Sequence, residues 1–389
     1  MRVLALLPSF YGEAGSAINE RQLIEALASK ADRCYVITLV GFTQVFGKQR
    51  NSLKICLPKN LTVIPFPLPQ VNVLLIHLAM ILFSCLMSAL TLITGLCRRI
   101  NLIYVRYSFL AIGFLTFNST AKKTIVKMPA MIEDEVKEKG ICRLFIEKIV
   151  PSVDRATLAR AKRILVSSRT FYNELVKRRS FIRNDEPLII PAGINLGLIE
   201  EARKQISEGS PPDTIQVGFL GSLFWWQGVD ILVHALALLK DRAPNLRLVI
   251  IGDGQLRDPI EKLCKSLNIP LVISGFLPHV EALKLLSSLD VMVLPRRRTP
   301  TTESVIPIKV VEAWALGVPV IVTKHQVFLD YQINDYEDVI YCEPDPNSVA
   351  NAIRTLLIND ELRKKLETNG PKLARQFDYN KIAERLLKA

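Results

Sequence analysis

Short apolar runs alternate with helical stretches along the whole of this 389-residue chain. Up to about Gly193, the runs VLALL, CYVITLV and RILVSS are separated by segments of helical periodicity such as INERQLIEALASK. The alternation is clearest from Ile215 onwards, where helical segments separate the runs IQVGFL, LRLVIIG, VMVLP and VPVIVT. Near-continuous Val, Ile and Leu strands that alternate with helices indicate parallel sheets covered on both faces. The pattern therefore predicts an α/β fold.

The length of the chain predicts two domains rather than one. Between the two halves, the segment EEARKQISEGSPPDT lacks apolar periodicity and is rich in charged residues, Ser, Gly and Pro, as surface linkers are. We therefore place a first domain at residues 1–195, a linker at 196–213 and a second domain at 214–372. The last segment, 373–389, is predicted to be a helix that packs back on the first domain.

One segment of the first half, residues 71–97, contains no Asp, Glu, Lys or Arg and is followed directly by Arg98 and Arg99. Its length would allow it to span a bilayer. The strand-like segments LTVIPFPL and NLIYVRYSFL flank it, and a single span would put the two parts of one sheet on opposite sides of the membrane. We predict instead an apolar helix that is buried in the core or docked on a membrane surface.

The charge of the chain is strongly positive: Lys and Arg number 50 against 37 Asp and Glu, a formal net charge of +13. Such an excess favours binding to polyanions, anionic lipid surfaces or phosphorylated small molecules. The basic residues are spread without interleaved aromatics or a recognisable module, so nucleic acid is not an expected partner. The charge would also help an apolar helix to dock on anionic headgroups.

The seven cysteines are scattered, and none forms a Cys-x-x-Cys pair. An odd, scattered set argues against a disulfide framework and a zinc site, and it fits a reducing compartment. The opening residues MRVLALLPSF lack the cleavage site of a signal peptide and predict a buried first strand. We expect a cytoplasmic protein, peripheral on the inner face of the cell membrane if the apolar helix docks there.

The stretch at 303–321, ESVIPIKVVEAWALGVPVI, is the most informative for chemistry. Pro307 suits the first turn of a helix and Gly317 its left-handed end. On this short helix Lys309 and Glu312 stand three residues apart, on one face, among apolar neighbours. They either pair with each other or meet the hydroxyls and phosphates of a ligand. An unused buried pair brings little net stability, which favours the ligand.

This stretch resembles the signature of the retaining glycosyltransferases of family 4 (group 1 type): Glu, seven residues, Glu, an Ala-rich helix end and Gly-x-Pro-Val. The resemblance implies the GT-B fold, in which two Rossmann-like domains with helix-covered parallel sheets face each other across a cleft. It also implies that Glu312 hydrogen-bonds the ribose of the nucleotide. The first Glu of the family contacts the donor sugar. Strict spacing puts Ser304 at that position and Glu303 one residue early, so both are candidates.

The segment VGFLGSLFWWQGVDILVHALALL resembles the first strand, loop and helix of the family's donor domain. In the family an Arg after the first Gly and a Lys before the next Gly usually clamp the diphosphate. Here Ser222 follows Gly221, and Gln227 precedes the next glycine. A hydroxyl and an amide can hydrogen-bond phosphate but cannot neutralise it. The positive charge is then expected from Lys309 or from the run Arg296-Arg297-Arg298. The alternative for the three arginines is that they form a solvated loop or contact lipid.

Further donor-binding candidates come from loops that follow strands. The turn at 251–254 and the loop at 275–278 match the family's second donor-domain turn and the loop near the base, and glycines in the loop at 9–16 would let backbone N–H groups approach a phosphate or sugar. With Glu303, Lys309 and Glu312 as catalytic candidates, the predicted donor-binding residues are Gly15, Gly221, Ser222, Gln227, Gly252, Gly254, Phe276, Leu277, Arg297, Ser304, Ile306 and Pro307.

Candidates for the acceptor are fewer, because the His or Asp often seen in the family's acceptor domain has no clear counterpart. Arg106 follows a strand, and Glu133 belongs to an acidic group after the run TIVKM. Both are predicted to bind the acceptor. The alternative for the acidic group is a solvated face.

The resemblance implies transfer of a sugar, with retention, from a nucleoside-diphosphate sugar to a hydroxyl acceptor, generally without a metal or other cofactor. The apolar segment and the basic excess suggest a lipid-linked or cell-envelope glycan as acceptor. Two alternatives stay open: a noncatalytic sugar-nucleotide-binding protein, since the clamp residues and the first Glu are missing, and a GT-B sugar-nucleotide epimerase, since one architecture serves several functions. A dinucleotide oxidoreductase is not expected, because no Gly-x-Gly-x-x-Gly follows the first strand.

Overall fold

The computed structural model describes residues 1–8, 10–11, 15–41, 57–68, 73–93, 95–137, 145–182, 186–204 and 214–389. These residues form two α/β units, Met1–Pro191 together with Tyr379–Ala389, and Ala192–Asp378. Residues 9 and 12–14 of the loop at 9–16 and residues 205–213 of the predicted linker lie outside the described ranges.

The first unit is built on a parallel sheet of seven strands in the order β3-β2-β1-β4-β5-β6-β7. Its strands are β1 (Arg2–Leu7), β2 (Arg33–Gly41), β3 (Leu61–Leu68), β4 (Leu102–Arg106), β5 (Thr124–Met128), β6 (Arg163–Val166) and β7 (Leu188–Ile189). Its helices before the second unit are α1 (Gly15–Lys30), α2 (Val73–Ile93), α3 (Leu96–Arg99), α4 (Ser108–Thr116), α5 (Asn118–Ala121), α6 (Ile132–Lys137), a π-helical turn (Phe145–Ile149), α7 (Val150–Leu158) and α8 (Arg169–Arg178).

The second unit repeats this plan with a parallel six-stranded sheet in the order β10-β9-β8-β11-β12-β13. Its strands are β8 (Ile215–Leu220), β9 (Leu246–Ile251), β10 (Leu271–Ile273), β11 (Val291–Leu294), β12 (Val320–Thr323) and β13 (Ile340–Cys342). Its helices are α9 (Leu196–Lys204), α10 (Val229–Leu239), α11 (Arg257–Leu267), α12 (His279–Ser287), α13 (Pro300–Ser304), α14 (Ile308–Leu316), α15 (Gln326–Asp330), α16 (Pro346–Ile358) and α17 (Asp360–Ala374), with 3₁₀ turns at Trp225–Gln227 and Arg375–Phe377.

Numbered within its own unit, each sheet begins with the order 3-2-1-4-5-6, which is the order of the doubly wound Rossmann fold. Most strand residues are apolar because helices cover the sheets; all four residues of β11 and of β12 are buried. The predicted α/β fold is confirmed in both units.

The predicted linker is wrong in its first part, because residues 196–204 form helix α9. The side chain of Asn195 accepts hydrogen bonds from Gly197 N at 3.0 Å and Leu198 N at 3.4 Å, which starts the helix. Its apolar residues Ile199 and Ala202 are three apart and buried in the core of the second unit. Two buried positions in a nine-residue segment are too weak a pattern to predict a helix.

The last helix, α18 (Tyr379–Lys388), packs against α1 in the first unit. The two helices are joined by an ion pair of 2.7 Å between Lys30 Nζ and Glu384 Oε1, and Arg385 donates to the carbonyl oxygen of Ile189 at 2.8 Å. Helix α18 therefore completes the core of the first unit although it follows the second along the chain.

The apolar segment of the first unit forms helix α2, which packs closely on α4. Ser84 Oγ donates to the carbonyl oxygen of Leu110 at 2.6 Å and accepts from Gly113 N at 2.9 Å, and a Cβ on Gly113 would collide with the backbone of Ser84. On the opposite face of α2, four apolar side chains are between 44% and 82% exposed: Leu82, Leu86, Leu90 and Ile93. Among the residues described, no helix is long and apolar enough to cross a bilayer.

Candidate functional site

The carboxyl edge of the second sheet brings together residues from several predicted motifs. Strands β8, β11 and β12 are adjacent and parallel, so the residues that follow them lie at the same edge. Gly221 follows β8, Pro295 and Arg296 follow β11, and His325 lies two residues beyond β12. Open α/β sheets bind their ligands at this edge, and α14 with Lys309 and Glu312 begins beside it.

Lys309 has a buried ammonium group that faces the glycine turn after β8. Its Nζ lies 5.0 Å from the centroid of the Phe219 ring and has no hydrogen-bond partner within the described parts of the chain. Gly221 has a φ of 135°, and a Cβ there would collide with Nζ, so the close approach requires glycine. Burial lowers the pKa of Lys309 to about 7, helped by the charge of Arg296 and opposed by Glu312.

Of the three consecutive arginines, Arg296 is the one held inside the unit. It is 9% exposed, its Nε lacks a hydrogen-bond partner in the described structure, and burial lowers its pKa to about 10. Arg297, the predicted donor ligand, instead pairs through both of its Nη atoms with the carboxylate of Asp230. Arg298 pairs with Glu303 and Glu343, each at 2.9 Å. Of the three arginines, Arg296 is therefore the one whose charge is available to an anion.

Glu303 is fully engaged by groups of its own unit. Its Oε1 accepts from Arg298 at 2.9 Å and lies 3.1 Å from His325 Nδ1, and its Oε2 accepts from Gln326 N at 2.7 Å. Burial alone would raise the pKa of Glu303, but these hydrogen bonds outweigh it and the pKa is lowered. Glu303 thus has three donors before any ligand binds, and its contact with a donor sugar stays a prediction.

His325 is a candidate that the sequence analysis missed. It is 1% exposed, and its Nε2 is buried without a hydrogen-bond partner among the residues described. Burial lowers its pKa, which the contact with Glu303 opposes. A lone histidine after the strand VIVT carries no sequence signal, because its partner Glu303 lies 22 residues earlier in the chain.

Glu312 is 6% exposed on α14, and its Oε1 lies 2.6 Å from Nε2 of His279, the first residue of α12. No ion pair joins Glu312 to Lys309 in the described structure, although the two charges interact at longer range. The alternative of a self-contained Lys309–Glu312 bridge is therefore excluded. Both side chains keep atoms for a ligand.

The glycine turns around these residues are tightly packed. Gly221 N donates to the carbonyl oxygen of Ile251 at 2.9 Å, and Gly252, with a φ of 137°, has no room for a Cβ beside the carbonyl oxygen of Gly221. A Cβ on Gly254 would lie 2.6 Å from the backbone nitrogen of Leu223. The turns that end β8 and β9 therefore depend on glycine at these positions.

The other donor-binding candidates differ in how exposed they are and in whether they have polar atoms left to contact a ligand. Ser222 is half-buried, and Gln227 is buried with an Oε1 that lacks a partner in the part of the chain described. Phe276 is 78% exposed and Leu277 36% exposed in the loop before α12. Three more candidates have contacts or positions that stabilise their own unit. Ser304 donates to the carbonyl oxygen of Pro300, Ile306 packs in the core, and Pro307 directly precedes α14. Gly15 is in the first unit, where it begins α1.

The acceptor candidate Arg106 belongs to a buried cluster at the end of β4 in the first unit. Glu20, 1% exposed, accepts from Arg106 at 2.9 Å, from Lys127 at 2.6 Å and from the hydroxyl of Tyr104 at 2.9 Å. Burial would raise the pKa of Glu20, but Lys127 and Arg106 outweigh it and the pKa is lowered. The cluster holds two cations against one carboxylate.

Glu133, the second acceptor candidate, is 7% exposed and accepts from Arg179 at 2.8 Å. Arg179 also donates to Asp154 at 2.8 Å. The alternative of a solvated acidic face is excluded for Glu133, which joins elements of the first unit. Acceptor binding by Arg106 and Glu133 stays a prediction.

Residues 200–373, all within the second unit, match the sequence model of the glycosyl transferases group 1. An uncharacterized glycosyltransferase of Methanocaldococcus jannaschii is 28% identical over 194 residues, which are 49% of this chain and 48% of that protein. The N,N'-diacetylbacillosaminyl-diphospho-undecaprenol alpha-1,3-N-acetylgalactosaminyltransferase of Campylobacter jejuni is 29% identical over 168 residues, 42% of this chain and 41% of that protein. The chain spans about half the length of these curated relatives.

Solved structures match the chain over nearly its full length. Sucrose-phosphate synthase from Thermosynechococcus elongatus has a TM-score of 0.73 at 22% identity and covers 99% of this chain and 97% of its own. Anabaena HepE in complex with UDP has a TM-score of 0.70 at 16% identity and covers 100% of this chain and 99% of its own. These likenesses confirm the predicted GT-B fold class of two Rossmann-like domains.

Proposed function

We propose that the chain moves a sugar from a nucleoside-diphosphate sugar to a hydroxyl acceptor, with retention of configuration. The match of residues 200–373 in the second unit to the sequence model of the glycosyl transferases group 1 supports this proposal. The observation that carries the proposal is the carboxyl edge of the second sheet. There the buried cations Lys309 and Arg296 lie beside the glycine turn at Gly221, with Glu312 on the same helix as Lys309.

The chemistry of the transfer fits these residues. When the bond between the sugar and the diphosphate breaks, its electron pair stays on the diphosphate oxygen. The acceptor oxygen bonds to the sugar on the same face, and the hydroxyl proton passes to the departing diphosphate oxygen. Preorganised positive charge at the leaving group is where stabilisation of such a transition state concentrates. Lys309 and Arg296 supply that charge, and Glu312 accepts from the ribose hydroxyls. We include in the proposal that no divalent metal is needed.

The test is a donor screen on the purified chain with UDP-, GDP- and ADP-sugars, in which nucleotide release is followed with and without a membrane lipid extract and with and without EDTA. One donor is expected to give release that depends on the extract and persists in EDTA, and NMR of the product is expected to show the anomeric configuration of the donor. Release of free sugar without an acceptor would indicate an epimerase instead. Donor binding without release in any condition would indicate a noncatalytic protein.

The acceptor that we propose is a lipid-linked glycan at an anionic membrane surface, and helix α2 supports it. Its outer face exposes Leu82, Leu86 and Ile93 by 64%, 49% and 82%, and the exposed Arg98 and Arg99 follow within six residues. An apolar stripe with basic residues beside it is suited to the interface of an anionic bilayer. The name of the Campylobacter jejuni relative contains a diphospho-undecaprenol-linked sugar, which supports the same class of acceptor.

Docking by α2 predicts that the chain sediments with vesicles of phosphatidylglycerol and phosphatidylcholine. The triple variant Leu82→Gln, Leu86→Gln, Ile93→Gln is expected to partition into them at least about tenfold less, because burying each such side chain contributes roughly 1.5–3 kcal/mol. The matched control is Ile358→Gln, which removes a 79% exposed apolar side chain of the second unit and is expected to leave partitioning unchanged. Equal sedimentation of the triple variant and the wild type would contradict docking by α2.

A further inference from the structure

Three buried nitrogen atoms at the carboxyl edge of the second sheet lack hydrogen-bond partners among the described residues: Lys309 Nζ, Arg296 Nε and His325 Nε2. Buried polar atoms in folded proteins are nearly always hydrogen-bonded, and buried charges are nearly always paired. One such orphan would call for an explanation by itself. Lys309 Nζ and Arg296 Nε are donors, and His325 Nε2 becomes one when the ring is protonated, so the three together indicate a ligand that brings several acceptor oxygens.

The three side chains belong to one cluster. Arg296 is the second residue of the loop after β11, Lys309 lies in the first turn of α14, and His325 lies in the loop after β12; β11 and β12 are neighbouring strands. Arg296 interacts electrostatically with each of the other two, since its charge lowers the pKa of both Lys309 and His325. The positive charges of the three side chains therefore repel one another, and a bound anion would reduce this repulsion.

The acidic side chains beside the cluster compensate its charge only in part. Glu312 contacts His279 and Glu303 is held by Arg298, His325 and Gln326 N. Arg297 and Arg298, the cations next in sequence, have carboxylate partners of their own. The positive charge that remains thus belongs to Arg296 and Lys309, with His325 able to add to it when protonated.

We propose that Arg296, Lys309 and His325 together form the diphosphate-binding site of this chain, in place of an Arg and a Lys in the loop after β8. That loop carries Ser222 and Gln227, which can hydrogen-bond a phosphate but not neutralise it. The cluster supplies the missing charge beside Gly221. Because this glycine has no side chain, the ammonium group of Lys309 can lie directly against the turn. The inference rests on the proposed function, because it names how that same site holds its donor.

The test measures binding by calorimetry, with UDP, GDP and ADP, their monophosphates, and inorganic pyrophosphate as the probes. For the nucleotide that the wild type binds, Arg296→Gln and Lys309→Met are each expected to weaken the diphosphate at least about tenfold, since each removes a charge-assisted contact. In the same two variants, the affinity for the corresponding monophosphate is expected to fall by a smaller factor. His325→Asn is expected to weaken the diphosphate by a smaller factor. Arg297→Gln, the matched control next in sequence, is expected to bind as the wild type does.

Thermal unfolding separates this binding role from a structural one. Because an unpaired buried ammonium opposes folding, Lys309→Met is expected to unfold at a higher temperature than the wild type although it binds less well. A structural role predicts a lower unfolding temperature. If Arg296→Gln does not fold, Arg296→Lys, which keeps the charge, is expected to retain part of the affinity, and full retention of affinity in a folded Lys309→Met variant overturns the proposal.

The probes also separate this inference from the proposed function. Binding of a nucleoside diphosphate that Arg296→Gln and Lys309→Met leave unchanged would overturn the site but not the donor class. Binding of pyrophosphate alone, lost in both variants, would keep the site and overturn the donor class. If the wild type binds neither a nucleoside diphosphate nor pyrophosphate, both proposals fail.

Discussion

Glu312→Ala is expected to lower kcat/KM for sugar transfer about 100-fold or more, since a buried carboxylate that accepts from ligand hydroxyls contributes roughly 1.5–3 kcal/mol for each hydrogen bond. Glu312 is 6% exposed and uses Oε1 for His279. The proposed ribose contact would engage the same carboxylate. The measurement is the initial rate of nucleotide release at several donor concentrations, with the donor identified in the screen.

The control for this substitution is Glu361→Ala, which removes an exposed carboxylate from α17 in the same unit. It is expected to leave kcat/KM unchanged. A second comparison, Glu312→Gln, keeps the shape and loses the charge, so its activity is expected to lie between the wild type and Glu312→Ala. Wild-type kcat/KM in a folded Glu312→Ala variant would remove Glu312 from the site.

Glu20→Ala is expected to lower the free energy of unfolding of the first unit by about 3–5 kcal/mol, because removing one partner of a buried ion cluster leaves the others uncompensated. Glu20 is 1% exposed, and its loss would leave Arg106 and Lys127, both mostly buried, without their shared carboxylate. The measurement is urea unfolding followed by circular dichroism, with the transition of each unit analysed separately.

The control for Glu20 is Glu384→Ala, whose ion pair with Lys30 lies on the surface of the same unit. Exposed pairs contribute little, so almost no change is expected. The lowered pKa of Glu20 adds a pH dependence: its stabilisation is fully present above the ordinary pKa of a glutamate and is lost as the pH falls through the lowered value. Equal unfolding of Glu20→Ala and Glu384→Ala would contradict the importance of the cluster.

The fold was largely predictable because parallel strands covered on both faces must be apolar at almost every position. The run VMVLP shows this, since all four residues of β11 are buried. Helix α9 was not predictable in the same way, because its fully buried positions are only Ile199 and Ala202 and four of its nine residues are charged. The helix is determined by its packing against the rest of the second unit and not by its local sequence pattern.

The candidate site was predictable where local spacing governs it. Lys309 and Glu312 are three apart on α14, and the spacing alone put them on one face. Arg296 and His325 could not be chosen from sequence, because what distinguishes them are contacts between distant segments. Arg297 pairs with Asp230, 67 residues earlier, and Arg298 pairs with Glu303 and Glu343. Of the three consecutive arginines, Arg296 is therefore the one without a carboxylate partner in the described structure.

The central claim is that the carboxyl edge of the second sheet holds the nucleoside diphosphate of a sugar donor. The most direct measurement is a crystal structure of the chain with the nucleoside diphosphate that it binds. The account predicts diphosphate oxygens within hydrogen-bond distance of Lys309 Nζ and the Arg296 guanidinium, and a ribose hydroxyl on Glu312. A bound nucleotide whose diphosphate lies away from both cations, or whose ribose does not reach Glu312, would contradict it.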